Sequence, residues 1–149
     1  MPPILLGPFA AASTPPARQF PLAGVRVPAG FPSPAEDWAE ERVDLNRRYV
    51  PCPEATFLFT VGGDSMAGPD PQRCIPDGAT LIVDRSRSAA HNDIVIAVID
   101  GDFTVKRLYR RGQQLALLAE NPAYPPIRLG DEQELVIWGV VTAWVVSAA

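Results

Sequence analysis

The chain has 149 residues, a formal net charge of −4, 47% hydrophobic and 20% charged residues, which suits one soluble globular domain with an appended arm. The acidic balance supplies no general basic field and excludes non-specific nucleic-acid binding; specific direct DNA contact is not expected either. One histidine and two cysteines, Cys52 and Cys74, with no C-x-x-C pair, exclude a metal-ligand framework, and no metal or other cofactor is expected.

Eleven of the 17 prolines fall in residues 1–53. Residues 1–29 show little periodic hydrophobicity and read as an extended arm. The opening "MPPILLGPFAAAS" has no basic n-region, and Pro8 interrupts its short apolar run, so it is not read as a secretory signal. The longest later apolar run, "LVIWGVVTAWVV", is too short to span a bilayer. A cytoplasmic protein without membrane association is expected.

Residues 30–53 form a helix-containing linker. In "SPAEDWAEERVDL", Ser33 suits an N-cap, Pro34 the first helical position, and Glu36 completes a capping box. Ala35, Trp38, Ala39 and Val43 supply an apolar stripe at helical spacing.

Residues 54–149 read almost entirely as strands. "TFLFTV", "ATLIVD", "DIVIAVID", "FTVKRLYR", "QLALLAE" and "ELVIWGVVTAWVV" are β-branched or aromatic runs separated by turn residues. Asp100-Gly101-Asp102 is a tight hairpin signal. Several short strands without intervening helices predict a mainly β fold, a rolled sheet or partial barrel, carrying the extended arm and one short helix.

Two residues in this region carry candidate chemistry. Ser65 lies in "VGGDSMAG", a Gly-rich turn directly after a strand, where backbone N–H groups can face a ligand. Taken alone, "GDSM" is equally the pattern of an ordinary turn serine. Lys106 is the one lysine among 13 basic residues, set among Phe103, Val105 and Leu108 on a strand. A serine hydroxyl needs an adjacent base to act as a nucleophile. His91, the sole histidine, sits in the polar loop "SAAHND", where a solvated side chain is the simpler reading. Lysine can serve instead when burial lowers its pKa, and a Ser/Lys pair is one of the recurring variants of the catalytic triad. Backbone N–H groups at Asp64 and Ser65 are the candidate oxyanion donors.

With "GDSM", "IPDGATLIVD", "HNDIVIAVIDGDFTVKRL" and "NPAYPPI" in this order, residues 30–146 resemble the LexA/UmuD family of self-cleaving serine peptidases. The segment "GFPSPAEDWAEERVDLN" is similar to the UmuD branch, accessory factors of SOS mutagenesis. The resemblance implies Ser65 as nucleophile and Lys106 as general base in a β-rich domain that forms homodimers. It also implies cleavage of the arm between a small residue and Gly. Of the three Ala-Gly pairs, Ala67-Gly68 is too close to Ser65 to fold back onto it, and Ala29-Gly30, directly before "FPSP", is favoured over Ala23-Gly24. Stimulation by the RecA–single-stranded-DNA filament and later association with an UmuC-type translesion polymerase follow from the same resemblance. The loop "AGPDPQRC" after the serine is longer than the family pattern. Two alternatives remain: a non-catalytic dimeric adaptor that keeps only the fold, and a LexA-like self-cleaving repressor relative without a DNA-binding domain.

Overall fold

The computed structural model of the protein describes residues 4–11, 17, 19–23, 40–129 and 134–148. Among these residues it contains ten strands and one α-helix: β1 (Ile4–Ala10), β2 (Gln19–Ala23), β3 (Glu40–Asp44), α1 (Leu45–Tyr49), β4 (Thr56–Gly62), β5 (Thr80–Asp84), β6 (Ile94–Ile99), β7 (Asp102–Arg111), β8 (Gln114–Leu118), β9 (Ile127–Arg128) and β10 (Leu135–Val145). The mainly β expectation holds. The chain divides into two units, one joining β1 to everything from Cys52 onward, the other holding β2, β3 and α1.

In the smaller unit β2 and β3 pair antiparallel, from Gln19 opposite Asp44 to Ala23 opposite Glu40. The helix expected from Ser33 differs here. Residues 33–39 lie outside the described residues, and Glu40–Asp44 is extended. Pairing with β2 supplies these residues with ladder hydrogen bonds, which override their local helical pattern. The N-cap belongs to Asp44, whose carboxylate accepts the Asn46 N–H at 2.9 Å and starts α1 at Leu45. Arg47 and Arg48 occupy the last turn, where they complement the helix dipole.

The larger unit is one antiparallel sheet in the order β1-β4-β5-β10-β6-β7-β8-β9. At about 4.8 Å per strand, β4 and β7 would lie about 19 Å apart if the sheet were flat. Yet the rings of Phe59 on β4 and Phe103 on β7 are 5.5 Å apart, and Trp138 on β10 touches both at 5.3 and 5.7 Å. The sheet is therefore rolled, as expected, around Phe59, Val61, Met66, Ile75, Leu81, Val83, Ile96 and Val105. A second apolar layer, Val95, Ala97, Leu108 and Leu117, covers the other face of β6 and β7.

Asp100 and Gly101 form the two-residue β6–β7 turn, with φ of 49° and 89°. Positive φ at both central positions matches the twist of the flanking strands. Residues 4–10, part of the expected arm, are extended but not free of the sheet. As β1 they pair with β4, Ile4 opposite Gly62 and Ala10 opposite Phe57. An edge position tolerates Pro8, and Leu6 and Phe9 stay exposed. The segment therefore carries no core-like hydrophobic period.

Candidate active site

Strand β4 ends at Gly62, and Gly63 follows with φ of 93°, a conformation that costs glycine nothing. Its N–H donates to Asp77 Oδ1 at 2.7 Å. The next four residues close a turn in which the Ala67 N–H donates to the Asp64 carbonyl at 3.0 Å. Met66, fully buried, anchors the turn in the core, and its carbonyl accepts the Ile75 N–H at 2.8 Å. Ser65 is thereby held at the centre of a pinned turn and is itself fully buried. The longer loop after it folds on itself: Asp70 accepts the Gln72 N–H at 3.0 Å and faces Arg73 at 3.7 Å.

All of Thr104–Leu108 on β7 is buried, because both faces of the strand are covered. Lys106 Nζ lies 3.0 Å from Ser65 Oγ and donates to the Val105 carbonyl at 3.3 Å. Burial pushes the Lys106 amine down from 10.5 to about 8. No carboxylate among the described residues pairs with it to hold the charge. Glu120 pairs with the neighbouring residue, Arg107. The Val105 carbonyl engages one Lys106 N–H, and in its neutral form an amine at this distance from Oγ can accept the Ser65 proton. Thr104 precedes Lys106 by two positions on the same strand face, and its buried Oγ1 has no hydrogen-bond partner among the described residues.

Ser65 and Lys106, 41 positions apart in sequence, are thus brought into contact. His91 is not: its Nδ1 accepts the Arg110 N–H at 3.0 Å and its ring stands edge-on to Tyr109 at 5.2 Å. The bond expected to be cut, Ala29-Gly30, lies outside the described residues. Cys52 and Cys74 are both free thiols. Among the described residues no group of three or more His, Cys, Asp or Glu could hold a metal ion, and no helix is long and apolar enough to cross a membrane.

Sequence reading quoted the segment just after β8, "NPAYPPI", for the family resemblance but gave it no role in the site. Asn121, Pro122, Ala123 and Tyr124 form a turn against the serine. The Asn121 N–H donates to the Ser65 carbonyl at 3.0 Å, its Nδ2 to the Asp64 carbonyl at 3.1 Å, and the Tyr124 hydroxyl to Asp64 Oδ1 at 2.5 Å. An Asn-Pro pair is a turn signal that could have flagged this segment, but nothing local says what the turn touches.

Comparison with known proteins places these features in a family. Residues 21–142 match the family model described as Peptidase S24-like. The chain is 46% identical to Protein SamA of Salmonella typhimurium, covering 84% of each chain. It is 42% identical to Protein MucA of Escherichia coli over 78% of this chain and 77% of that one. It is also 41% identical to the LexA repressor of Acidothermus cellulolyticus, over 87% of this chain but 45% of the repressor.

Proposed function

Since the chain belongs to the Peptidase S24-like family, the LexA/UmuD family of self-cleaving serine peptidases, we propose that it is a UmuD-like regulator of SOS translesion synthesis that cuts its own arm between Ala29 and Gly30. The observation that carries this reading is the 3.0 Å approach of Lys106 Nζ to Ser65 Oγ, both groups buried and the amine without a carboxylate partner among the described residues.

Neutral Lys106 takes the proton from Ser65 Oγ as the oxygen attacks the Ala29 carbonyl carbon. The oxyanion that forms is met by the backbone N–H groups of Ser65 and Asp64, each worth about 2.7–4 kcal/mol in comparable sites. The Lys106 ammonium then gives its proton to the departing Gly30 nitrogen, leaving Ala29 esterified to Ser65. Lys106 next deprotonates a water molecule, which hydrolyses the ester and restores Ser65. Residues 1–29 become a separate peptide, and domains 30–53 and 54–149 remain joined. The protein acts in the cytoplasm as a homodimer. A RecA–single-stranded-DNA filament stimulates the cut, and the shortened form joins an UmuC-type polymerase.

The experiment is a gel time course of purified full-length protein, first across pH and then with RecA filament. Loss of the first 29 residues is expected, and Ser65→Ala abolishes it. A lysine with a folded pKa of about 8 is protonated below that pH and inert as a base. The cleavage rate should therefore rise on the order of a hundredfold from about pH 6 to about pH 9, levelling off at the upper end. A chain that stays intact under every condition, or a rate flat across this range, overturns the reading. The first outcome would leave a dimeric adaptor.

A further inference from the structure

We propose that Asn121 and Tyr124 are positioning residues that aim the Ser65 nucleophile and its own N–H at the bond to be cut. The proposal rests on the reading of Ser65 as nucleophile and adds to it the device that sets its orientation.

Three hydrogen bonds run from one four-residue turn to two consecutive residues. Asn121 holds the carbonyls of both Asp64 and Ser65, and Tyr124 holds the Asp64 side chain. A trans peptide is planar, with its C=O and N–H pointing in opposite directions. Fixing the Asp64 carbonyl toward Asn121 therefore turns the Ser65 N–H away from Asn121. Fixing the Ser65 carbonyl sets the next peptide plane, so the rotation of the residue that carries Oγ is constrained at both ends.

The turn is itself stiff. Asn121 Oδ1 accepts the Ala123 N–H at 3.0 Å, and the Tyr124 N–H donates to the Asn121 carbonyl at 3.1 Å. Pro122 locks its own φ. On its other side the turn is tied to the strand that carries the base, because Glu120 pairs with Arg107, the neighbour of Lys106. Contact is close enough that a Cβ on Gly68, in the serine's own loop, would clash with the Glu120 carbonyl oxygen. Lys106, Arg107, Glu120, Asn121 and Ser65 thus form a closed ring of covalent bonds and contacts. The separation of base and nucleophile is set by this ring and not by the hydrogen bond between them alone.

Asp64 and Tyr124 form their bond where solvent reaches it, so its removal should barely affect folding. Orientation is another matter, since a misplacement of about 1 Å at a reacting centre can cost about 10²-fold in rate. The bond to Asp64 raises the Tyr124 pKa above its usual 10.0, so the phenol stays a donor through the assay range.

The test uses full-length protein and two variants that change single atoms or groups. Asn121→Asp keeps the acceptor for the Ala123 N–H and loses the donor to the Asp64 carbonyl; Tyr124→Phe loses only the hydroxyl. Self-cleavage rates are measured against pH, with urea unfolding midpoints alongside. The expected result is a plateau rate about 10²-fold lower for Asn121→Asp and about tenfold lower for Tyr124→Phe. For Tyr124→Phe the pH midpoint set by Lys106 and the urea midpoint should both stay where they are in the parent, whereas the carboxylate added by Asn121→Asp moves the pH midpoint upward. Variants that cleave at the parent rate overturn the proposal. So does a rate loss in Tyr124→Phe accompanied by a shifted pH midpoint, because this uncharged change shifts it only by loosening the site around Lys106. If the parent and Ser65→Ala are alike uncut at every pH, the nucleophile reading itself falls, an outcome distinct from both.

Discussion

Lys106→Arg is expected to lower the self-cleavage rate by at least about 10³-fold, the loss typical when one member of a nucleophile–base unit is removed. The substitution keeps the positive charge and a long side chain, so a role in charge or packing alone would survive it. Guanidinium does not release its proton in the accessible pH range and offers no lone pair to Ser65 Oγ. The parent lysine differs because the residue is only 3% exposed and its pKa has fallen to about 8, close enough to the working pH to be neutral part of the time. Cleavage at about pH 9, followed on gels beside Lys106→Met, provides the check, with circular dichroism to establish that both variants are folded. Lys106→Met removes the base without a bulkier head group and should be equally inactive. An arginine variant that cuts within tenfold of the parent would remove Lys106 from the base role.

Arg107→Ala, one residue along, should destabilise the fold by about 3–5 kcal/mol. Arg107 is 7% exposed; its Nε pairs with Glu120 and its Nη1 donates to the Asn92 carbonyl. Removing the guanidinium strands the Glu120 carboxylate, which is 12% exposed, without a cation. Breaking one half of a buried pair costs far more than never having had the pair. The Glu120→Gln/Arg107→Ala double variant should therefore recover part of the loss. Urea unfolding midpoints of the two single variants and the double variant measure this coupling directly. Arg107→Lys also tests it, since an ammonium cannot reproduce the planar fork that reaches an acid and a carbonyl at once. A change within about 0.5 kcal/mol for Arg107→Ala, the size of an ordinary surface substitution, would show that the pair carries no structural weight. Neighbouring basic residues on β7 thus have opposite requirements: position 106 needs a side chain that can be neutral, position 107 one that never is.

Much of this was legible in the linear chain. Six of the ten strands follow from β-branched and aromatic runs, because the side-chain period of a strand is printed in the sequence whatever the strand pairs with. The β6–β7 turn follows from Asp100-Gly101, since few residue pairs accept positive φ twice. The strands that escaped notice are β1, β2, β3 and the two-residue β9. Each is short or edge-placed, or carries proline, and owes its conformation to hydrogen bonds with distant residues. Glu40–Asp44 makes the point most clearly: its local pattern is helical, and its partner β2 makes it a strand.

The sequence by itself determined which chemistry is available: one lysine on an apolar strand, one serine in a Gly-rich turn, and a single histidine in a polar loop. Residue type and immediate neighbours settle those properties, because desolvating company and turn-forming glycines are local. Only the tertiary structure decided which groups meet. Rolling the sheet brings β7 against the turn after β4, placing Lys106 Nζ 3.0 Å from Ser65 Oγ. The same folding carries Asn121 and Tyr124 to the carbonyls and carboxylate of Asp64 and Ser65. These contacts span 41 to 60 positions of chain. No local propensity encodes such a distance; it is set by the order of strands in the sheet and by the sheet's curvature.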